Sequence, residues 1–378
     1  MRRKVVHILW QLTFGGIQTM LVNIANAQAE AGAEVTVIFV DAPCETSLLR
    51  AFSADVKVVC LRRKAHSMIP VFLFRLNCEL CHIQPDTIHL HASNLYKLIF
   101  SHRLSREACV TLHALPRGSV RRRGISNILP LWSFKPTSNV AYIDEIPKVF
   151  AISKAVQEKL SDAYGVDSTV VNNGIKTGDF ARRLPQAPDK GRLRVVQVGR
   201  LMHDKKGQDL LIEAVARLDG KVTVDFVGTG ESEEYLRLLA KNKGVEEYIH
   251  FLGDQTQQWI GGYLCTYDLF VQPSRYEGFG LTVAEAMAAC VPVLVSTGQG
   301  PEEITCGSKY GWLFKNGDVK TLIQSIRYIR SHYDEALLKA GEACRYVEAA
   351  YDVSITAQKY LAEYESRRHT GKNYKATL

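Results

Sequence analysis

From Ser274 the chain reads Ser274-Arg275-Tyr276-Glu277-Gly278-Phe279-Gly280-Leu281-Thr282-Val283-Ala284-Glu285-Ala286-Met287-Ala288. An apolar run ends, a glycine-flanked acid follows, and a helical pattern begins. Free amides at Gly280 to Thr282 would meet a diphosphate at a helix N-terminus, where the dipole favours negative charge. Glu277 lies one turn earlier among glycines, so it has little to pack against and is free to accept hydrogen bonds from hydroxyls. Thr282 and Glu285 have capping-box spacing, which offers Glu285 a structural role beside a ligand-binding one. Two further strand-to-glycine-to-helix transitions are candidate anion sites: Trp10 to Gly15-Gly16 and Ile17, and Val198 to Gly199-Arg200 and on to Gly207.

Several other chemistries fit poorly. Gly228-Thr229-Gly230-Glu231-Ser232-Glu233 follows a strand but has glutamate where a dinucleotide fingerprint needs its third glycine, which argues against a nicotinamide dehydrogenase. Cys78-Glu79-Leu80-Cys81-His82 matches the haem-attachment pattern, yet it lies in helical apolar spacing, with no export signal expected ahead of it. His89 and His91 alternate on one strand and His113 ends another, without an evident third zinc partner. No Asp-x-Asp occurs, so no metal is expected.

These residues need a frame to position them. At 378 residues the chain exceeds what one core usually supports, and its 46% hydrophobic and 23% charged content is that of a globular protein. No apolar run reaches the ~20 residues of a membrane span, and nine scattered cysteines read as reduced thiols of a cytoplasmic chain. Strand-like runs at 5–10, 35–40, 56–61, 87–91, 109–113, 149–153 and 169–173 alternate with helical patterns. The clearest helical stripe is Ile17, Met20, Leu21, Ile24, Ala25 and Gln28. After Asn173-Gly174 a polar stretch intervenes, and the alternation restarts at 193–198, 222–227, 250–252, 269–272 and 291–296, ending in helices near 318–331, 334–349 and 353–366.

The fold class predicted is α/β, with two Rossmann-like doubly wound parallel sheets facing a cleft. The expected domains are 1–176, 177–348, and a C-terminal helix and tail from 349 to 378 that crosses back to the first domain. Residues 1–190 hold 24 Lys and Arg against 15 Asp and Glu, whereas 191–378 hold 23 against 24, so the first half should meet an anionic partner.

Glu277 and Glu285 stand in an E-x7-E relation within a segment that resembles the signature of the retaining glycosyltransferases of family 4, which have the GT-B fold. Gly199-Arg200-Leu201 with Lys205-Lys206-Gly207 resembles that family's basic pair. Gly15-Gly16 is similar to its N-terminal glycine loop, Asn173-Gly174-Ile175 to its interdomain segment, and Pro301-Glu302-Glu303-Ile304 to its P-E-[IV] segment with an extra Glu. The likeness spans essentially the whole chain, strongest over 193–315 and weak over 40–140.

The resemblance implies a nucleotide-sugar donor, UDP-sugar favoured, and transfer with retention and without a metal or other cofactor. Arg200 and Lys206, or Lys205 in its place, would neutralise the diphosphate. Glu277 would bind the sugar and Glu285 the ribose, and Gly278, Phe279, Gly280, Leu281 and Thr282 would line the donor. Gly230 and Leu252 would lie near the base, Gly15 and Gly16 near the phosphate, and His113, in a T-x-H context, by the sugar. Ser153-Lys154 would shape the cleft.

The acceptor implied is a glycan or lipid-linked glycan of cell-surface polysaccharide or lipopolysaccharide. An anionic membrane surface on the inner face of the cell membrane would be met through Arg62-Arg63-Lys64 with Met68 to Phe74, and through Arg117 and Arg121-Arg122-Arg123 with the apolar residues after them. The competing readings are a GT-B nucleotide-sugar epimerase, a phosphorylase, against which the length argues, and a basic nucleic-acid-binding protein. The last lacks interleaved aromatics, so no nucleic acid is expected.

Overall fold

The computed structural model describes residues 2–13, 15–64, 69–114, 142–189 and 192–370. The chain forms two compact units, one of Met1–Gly174 with Val353–Leu378, the other of Ile175–Asp352.

In the first unit the strands are β1 (Lys4–Leu9), β2 (Glu34–Asp41), β3 (Val56–Arg63), β4 (Thr87–Leu90), β5 (Ala108–Leu112), β6 (Lys148–Ala151) and β7 (Thr169–Val170). Their order is β3-β2-β1-β4-β5-β6-β7, and every pairing is parallel. Val5, Val6, Ile8, Val37, Ile38 and Val110 are wholly buried, as strands covered on both faces must be. The helix Gly16–Glu30 buries Met20, Leu21, Ile24, Ala25 and Gln28 of the expected stripe, while Ile17, at its first turn, is exposed. Pro70 precedes the helix Val71–Ile83, which covers the haem-like Cys-x-x-Cys-His segment. Ser153 caps the helix Lys154–Tyr164, its hydroxyl accepting from the Val156 amide at 3.2 Å. That cap is a structural role for the residue assigned to the cleft. The C-terminal helix Val353–Thr370 belongs to this unit and packs on Gly16–Glu30.

The second unit repeats the plan with β8 (Leu193–Val198), β9 (Val222–Val227), β10 (Ile249–Phe251), β11 (Leu269–Gln272), β12 (Val293–Ser296) and β13 (Trp312–Phe314), in the order β10-β9-β8-β11-β12-β13 and all parallel. The sequence reading lacks β13, whose three residues are too short to show a period. Its core is Val195, Leu211, Val224, Phe226, Leu269, Val271, Leu294 and Ile326.

In both units the strand order reverses beside the first strand, between β1 and β4 and between β8 and β11. Connections that run to opposite faces leave a crevice at the carboxyl ends of those two strands, where ligands of such sheets bind.

Candidate functional site

In the second unit the crevice lies between the ends of β8 and β11. After β8, Gly199 (φ 149°) and Arg200 lead into the helical turn His203–Lys206, which Gly207 ends in the left-handed region (φ 68°). A Cβ on Gly207 would sit 2.0 Å from the Pro273 carbonyl oxygen, so only glycine lets this turn lie against the loop after β11. Buried glutamines tie the basic loop down: Gln197 Nε2 donates to the Lys206 carbonyl (3.0 Å) and Gln208 Nε2 to that of Arg200 (3.1 Å).

The loop after β11 is clamped to the same turn. Arg275 donates from Nη1 and Nη2 to the two carboxylate oxygens of Asp209 (2.7 and 2.6 Å) and from Nη1 to the His203 carbonyl (2.7 Å), and the Tyr276 amide donates to the Lys205 carbonyl (3.1 Å). Glu277 is thereby held facing Lys206, whose ammonium donates to Glu277 Oε2. Gln272 Nε2 reaches the same oxygen at 3.3 Å, and the Glu277 amide donates to Gln299 Oε1 at 2.8 Å. Arg200 is exposed and has no ion-pair partner among the described residues. Lys205 is half-buried and makes no ion pair among them, so Lys206 is the member of the pair that meets Glu277.

The helix Leu281–Ala288 starts at Gly280 (φ 98°), whose carbonyl accepts from Val283 (2.9 Å) and Ala284 (3.4 Å). The amides of Leu281 and Thr282 make no hydrogen bond within the described residues. Two orphan donors thus stand at a helix start near Glu277. Phe279 contributes backbone only, because its buried ring packs on Tyr351 (5.8 Å). The capping box does not form. Gly280 rather than Thr282 is the N-cap, so Glu285 sits within the second turn and is buried. Its Oε1 instead accepts from Gln257 Nε2 at 3.0 Å, and burial pushes its carboxyl up to about 7 against the partial help of that bond.

The loops after β9 and β10 join this rim. Leu201 donates to the Thr229 carbonyl (2.9 Å), Leu252 to that of Phe226 (2.9 Å), and Gly228 to that of Gly253 (2.8 Å). A Cβ on Gly230 would fall 2.3 Å from the Leu201 carbonyl oxygen. Gly230, Leu252, Arg200, Lys206 and Glu277 are therefore all on loops or a short turn at one end of one sheet, with Glu285 buried in the second turn of the helix that starts there.

In the first unit, Gly15 and Gly16 are exposed at the start of the helix Gly16–Glu30, following β1. His113 follows β5, and its Nε2 lies 2.9 Å from His91 Nδ1. The third histidine absent from the sequence reading is His7, on β1 beside His89 in register. Ligand atoms of His7, His89 and His91 lie within 4.8 Å of one another. Their nitrogens are already engaged: His7 with Gln28 (2.8 Å) and His91 (3.1 Å), His89 with Tyr364 (2.5 Å) and Thr111 (2.7 Å). A cation would have to break those bonds, so the cluster reads as a hydrogen-bonded ladder.

The expected membrane-facing segment is changed in one respect. Arg63 is buried and paired with Asp41 (2.5 and 3.0 Å), so it is not part of a basic surface, whereas Arg62, Lys64 and Arg75 are exposed. Ile69, Val71 and Phe74 are exposed while Phe72 and Leu73 are buried. Arg117 and Arg121 to Arg123 with the apolar run after them, and Met68, lie outside the described residues.

Residues beyond the sequence reading also hold the site: Asp209, Gln197, Gln208, Gln257, Gln272 and Gln299. Gln197 and Gln272, polar residues within apolar strands, were visible signals; the others lie in ordinary polar contexts.

Two parallel Rossmann-like units, with a basic turn and a glutamate at the switch point of the second, define the GT-B class of α/β proteins. Comparison with known proteins agrees. A family model described as Glycosyltransferase Family 4 matches residues 14–179, and one described as Glycosyl transferases group 1 matches residues 181–345. A lipopolysaccharide core biosynthesis glycosyltransferase, LpsE of Rhizobium meliloti, is 28% identical over 83% of this chain and 85% of its own length. The phosphatidyl-myo-inositol mannosyltransferase of Mycobacterium leprae is 24% identical over 94% of each chain. Among solved structures, Anabaena Alr3699/HepE in complex with UDP and glucose superposes with a TM-score of 0.75 at 20% identity, over 97% of this chain and 100% of that one. The chain belongs to the GT-B glycosyltransferases and resembles family 4. Among the described residues no helix is long and apolar enough to cross a membrane.

Proposed function

We propose that this glycosyltransferase moves a hexose, with retention of anomeric configuration and without a divalent ion, from a nucleoside-diphosphate donor, UDP-sugar favoured, to a glycan or lipid-linked acceptor in cell-surface polysaccharide or lipopolysaccharide assembly. The observation that carries the reading is the Lys206–Glu277 pair at the switch point, beside Arg200 and the amides of Leu281 and Thr282, which have no partner among the described residues. As the sugar leaves, negative charge grows on the β-phosphate. Fixed cations and amides aimed there stabilise the transition state more than the ground state. Glu277 accepts from sugar hydroxyls, Glu285 from the ribose, and Gly230 and Leu252 flank the base. Gly15 and Gly16 offer amides to the phosphate.

The donor class is supported by the neighbour solved with UDP and glucose, and the acceptor class by the names of the lipopolysaccharide-core and phosphatidyl-inositol relatives. Docking on the inner face of an anionic membrane is supported by exposed Ile69, Val71 and Phe74 near exposed Arg62, Lys64 and Arg75, each basic residue adding roughly 1 kcal/mol near such a surface.

The test is turnover of a nucleotide-sugar panel by wild type and Glu277→Ala, with product NMR in excess chelator. Retained configuration, turnover in chelator, and less than about a tenth of kcat in the variant are expected. A variant above that level, under ~1.4 kcal/mol of barrier, overturns the role of Glu277. Inversion, or a magnesium requirement, overturns the mechanism.

A further inference from the structure

The first unit carries a row of four histidines across its switch point. His7 on β1 and His89 on β4 are register partners, His91 lies just past β4, and His113 just past β5. His89 stacks on His91 with ring centroids 4.7 Å apart, whereas His91 and His113 meet edge to edge with centroids 5.2 Å apart, both pairs inclined by only 17°. Burial holds all four below the ordinary histidine range, His7 and His113 to about 4, so each ring is neutral at pH 7.

A neutral imidazole has one N–H and one lone pair, so in a series of bonded rings the state of one end sets every other. Here the series runs from Gln28 Oε1 to His7 Nε2 (2.8 Å), from His7 Nδ1 to His91 Nε2 (3.1 Å), and from His91 Nδ1 to His113 Nε2 (2.9 Å). The Gln28 oxygen can only accept, so His7 is protonated on Nε2 and its Nδ1 accepts from His91 Nε2–H. By the same step His91 Nδ1 accepts from His113 Nε2–H. The last ring is left with a bare Nδ1. That atom is buried, with no hydrogen-bond partner among the described residues. His89 stands beside the series, between the Tyr364 and Thr111 hydroxyls, and supports the stack.

We propose that Gln28, His7 and His91 are positioning residues that lock His113 in its Nε2–H tautomer, so that Nδ1 is a fixed acceptor for a hydroxyl of the transferred sugar. Resting on the reading of the chain as a nucleotide-sugar transferase, this makes a sugar with a free hydroxyl at the contacted carbon the preferred donor. A deoxy sugar would leave the lone pair unmatched, and a carboxylate would set two acceptors against each other.

The lock is read on the free full-length protein by histidine 15N–1H NMR, independently of turnover. His113 is expected with Nε2 protonated and Nδ1 bare, and Gln28→Glu, which while ionised only accepts, should keep that state at a pH where the carboxylate is charged. Gln28→Leu and His91→Leu should yield a mixture of tautomers and lower kcat/KM for the donor about tenfold with UDP affinity unchanged, and His91→Gln should restore part of the loss. Nδ1–H on wild-type His113 would overturn the proposal, as would unchanged tautomer and kinetics in both leucine variants. Equimolar zinc uptake that abolishes the His7 and His91 N–H signals would overturn it in favour of a metal site. If the tautomer is as expected but no nucleotide sugar is turned over, the functional reading fails and with it the sugar hydroxyl as ligand, while the lock stands.

Discussion

Lowering the pH from 7.0 to 5.5 should loosen the first unit far more than the second. His7, His89 and His91 are buried, His113 is partly so, and desolvation holds all four below their ordinary value. The unfolded chain therefore takes up protons near pH 6.5 that the folded unit refuses, and the stability from these groups is present above 6.5 and lost as pH falls below it. While a folded value lies well under 5.5, the loss is set by the unfolded value alone, on the order of 1 kcal/mol per histidine over this interval. Together such groups amount to a few kcal/mol, a large part of the roughly 5–15 kcal/mol of a typical domain. Glu285 acts in the opposite sense in the second unit. Raised to about 7, it binds its proton more tightly folded than unfolded, so that unit gains on acidification through the same window. Two units need not melt together, so the assay is hydrogen exchange by mass spectrometry at both pH values, corrected for intrinsic rate. Peptides from β1, β4 and β5 should lose several kcal/mol of protection, and those from β8 and β11 should not. A loss under about 1 kcal/mol in the first unit, or an equal loss in both, would refute the claim that these histidines are buried neutral.

Three further outcomes follow from the second unit. If Glu285 meets the ribose as a carboxylate, affinity for a nucleoside diphosphate should rise about tenfold from pH 6 to 8, and Glu285→Gln should remove that part of the slope in calorimetric titrations. Gly300→Ala would place a Cβ 2.4 Å from the Gly278 carbonyl oxygen; a stability loss of about 2 kcal/mol with weaker donor binding is expected by denaturation and titration, and a neutral outcome would show that the loop after β11 yields. Asp209→Ala should cost about 1 kcal/mol of stability, since Arg275 is partly exposed, yet lower kcat/KM roughly tenfold because the loop carrying Glu277 loses its clamp; equal kcat/KM would count against that coupling.

Much of this was legible from residue order because it depends on local rules. Strands that are buried on both faces must read as apolar runs, and glycine before a helix must read as a tight turn, so twelve of the thirteen strands and the loop carrying Glu277 could be located in advance. The three-residue strand Trp312–Phe314 could not, since a period needs more residues than it has. Capping is local too, but it depends on where a helix starts. The sequence allowed Thr282 to cap; the left-handed Gly280 started the helix earlier and turned Glu285 inward.

What only the tertiary structure decided is which distant polar groups meet. Arg62, Arg63 and Lys64 look alike in sequence, but β3 alternates its side chains, so Arg63 alone turns inward to Asp41. His7 is 82 residues from His89, and Tyr364 is 275 from it. The first pairing follows from strand order, and the second from a C-terminal helix that rejoins the first unit after the whole of the second. Gln28 showed in the sequence as one more position on an apolar stripe. Only its burial against His7, whose ring nitrogen it meets through Oε1 at 2.8 Å, makes it the group that sets the protons of the row.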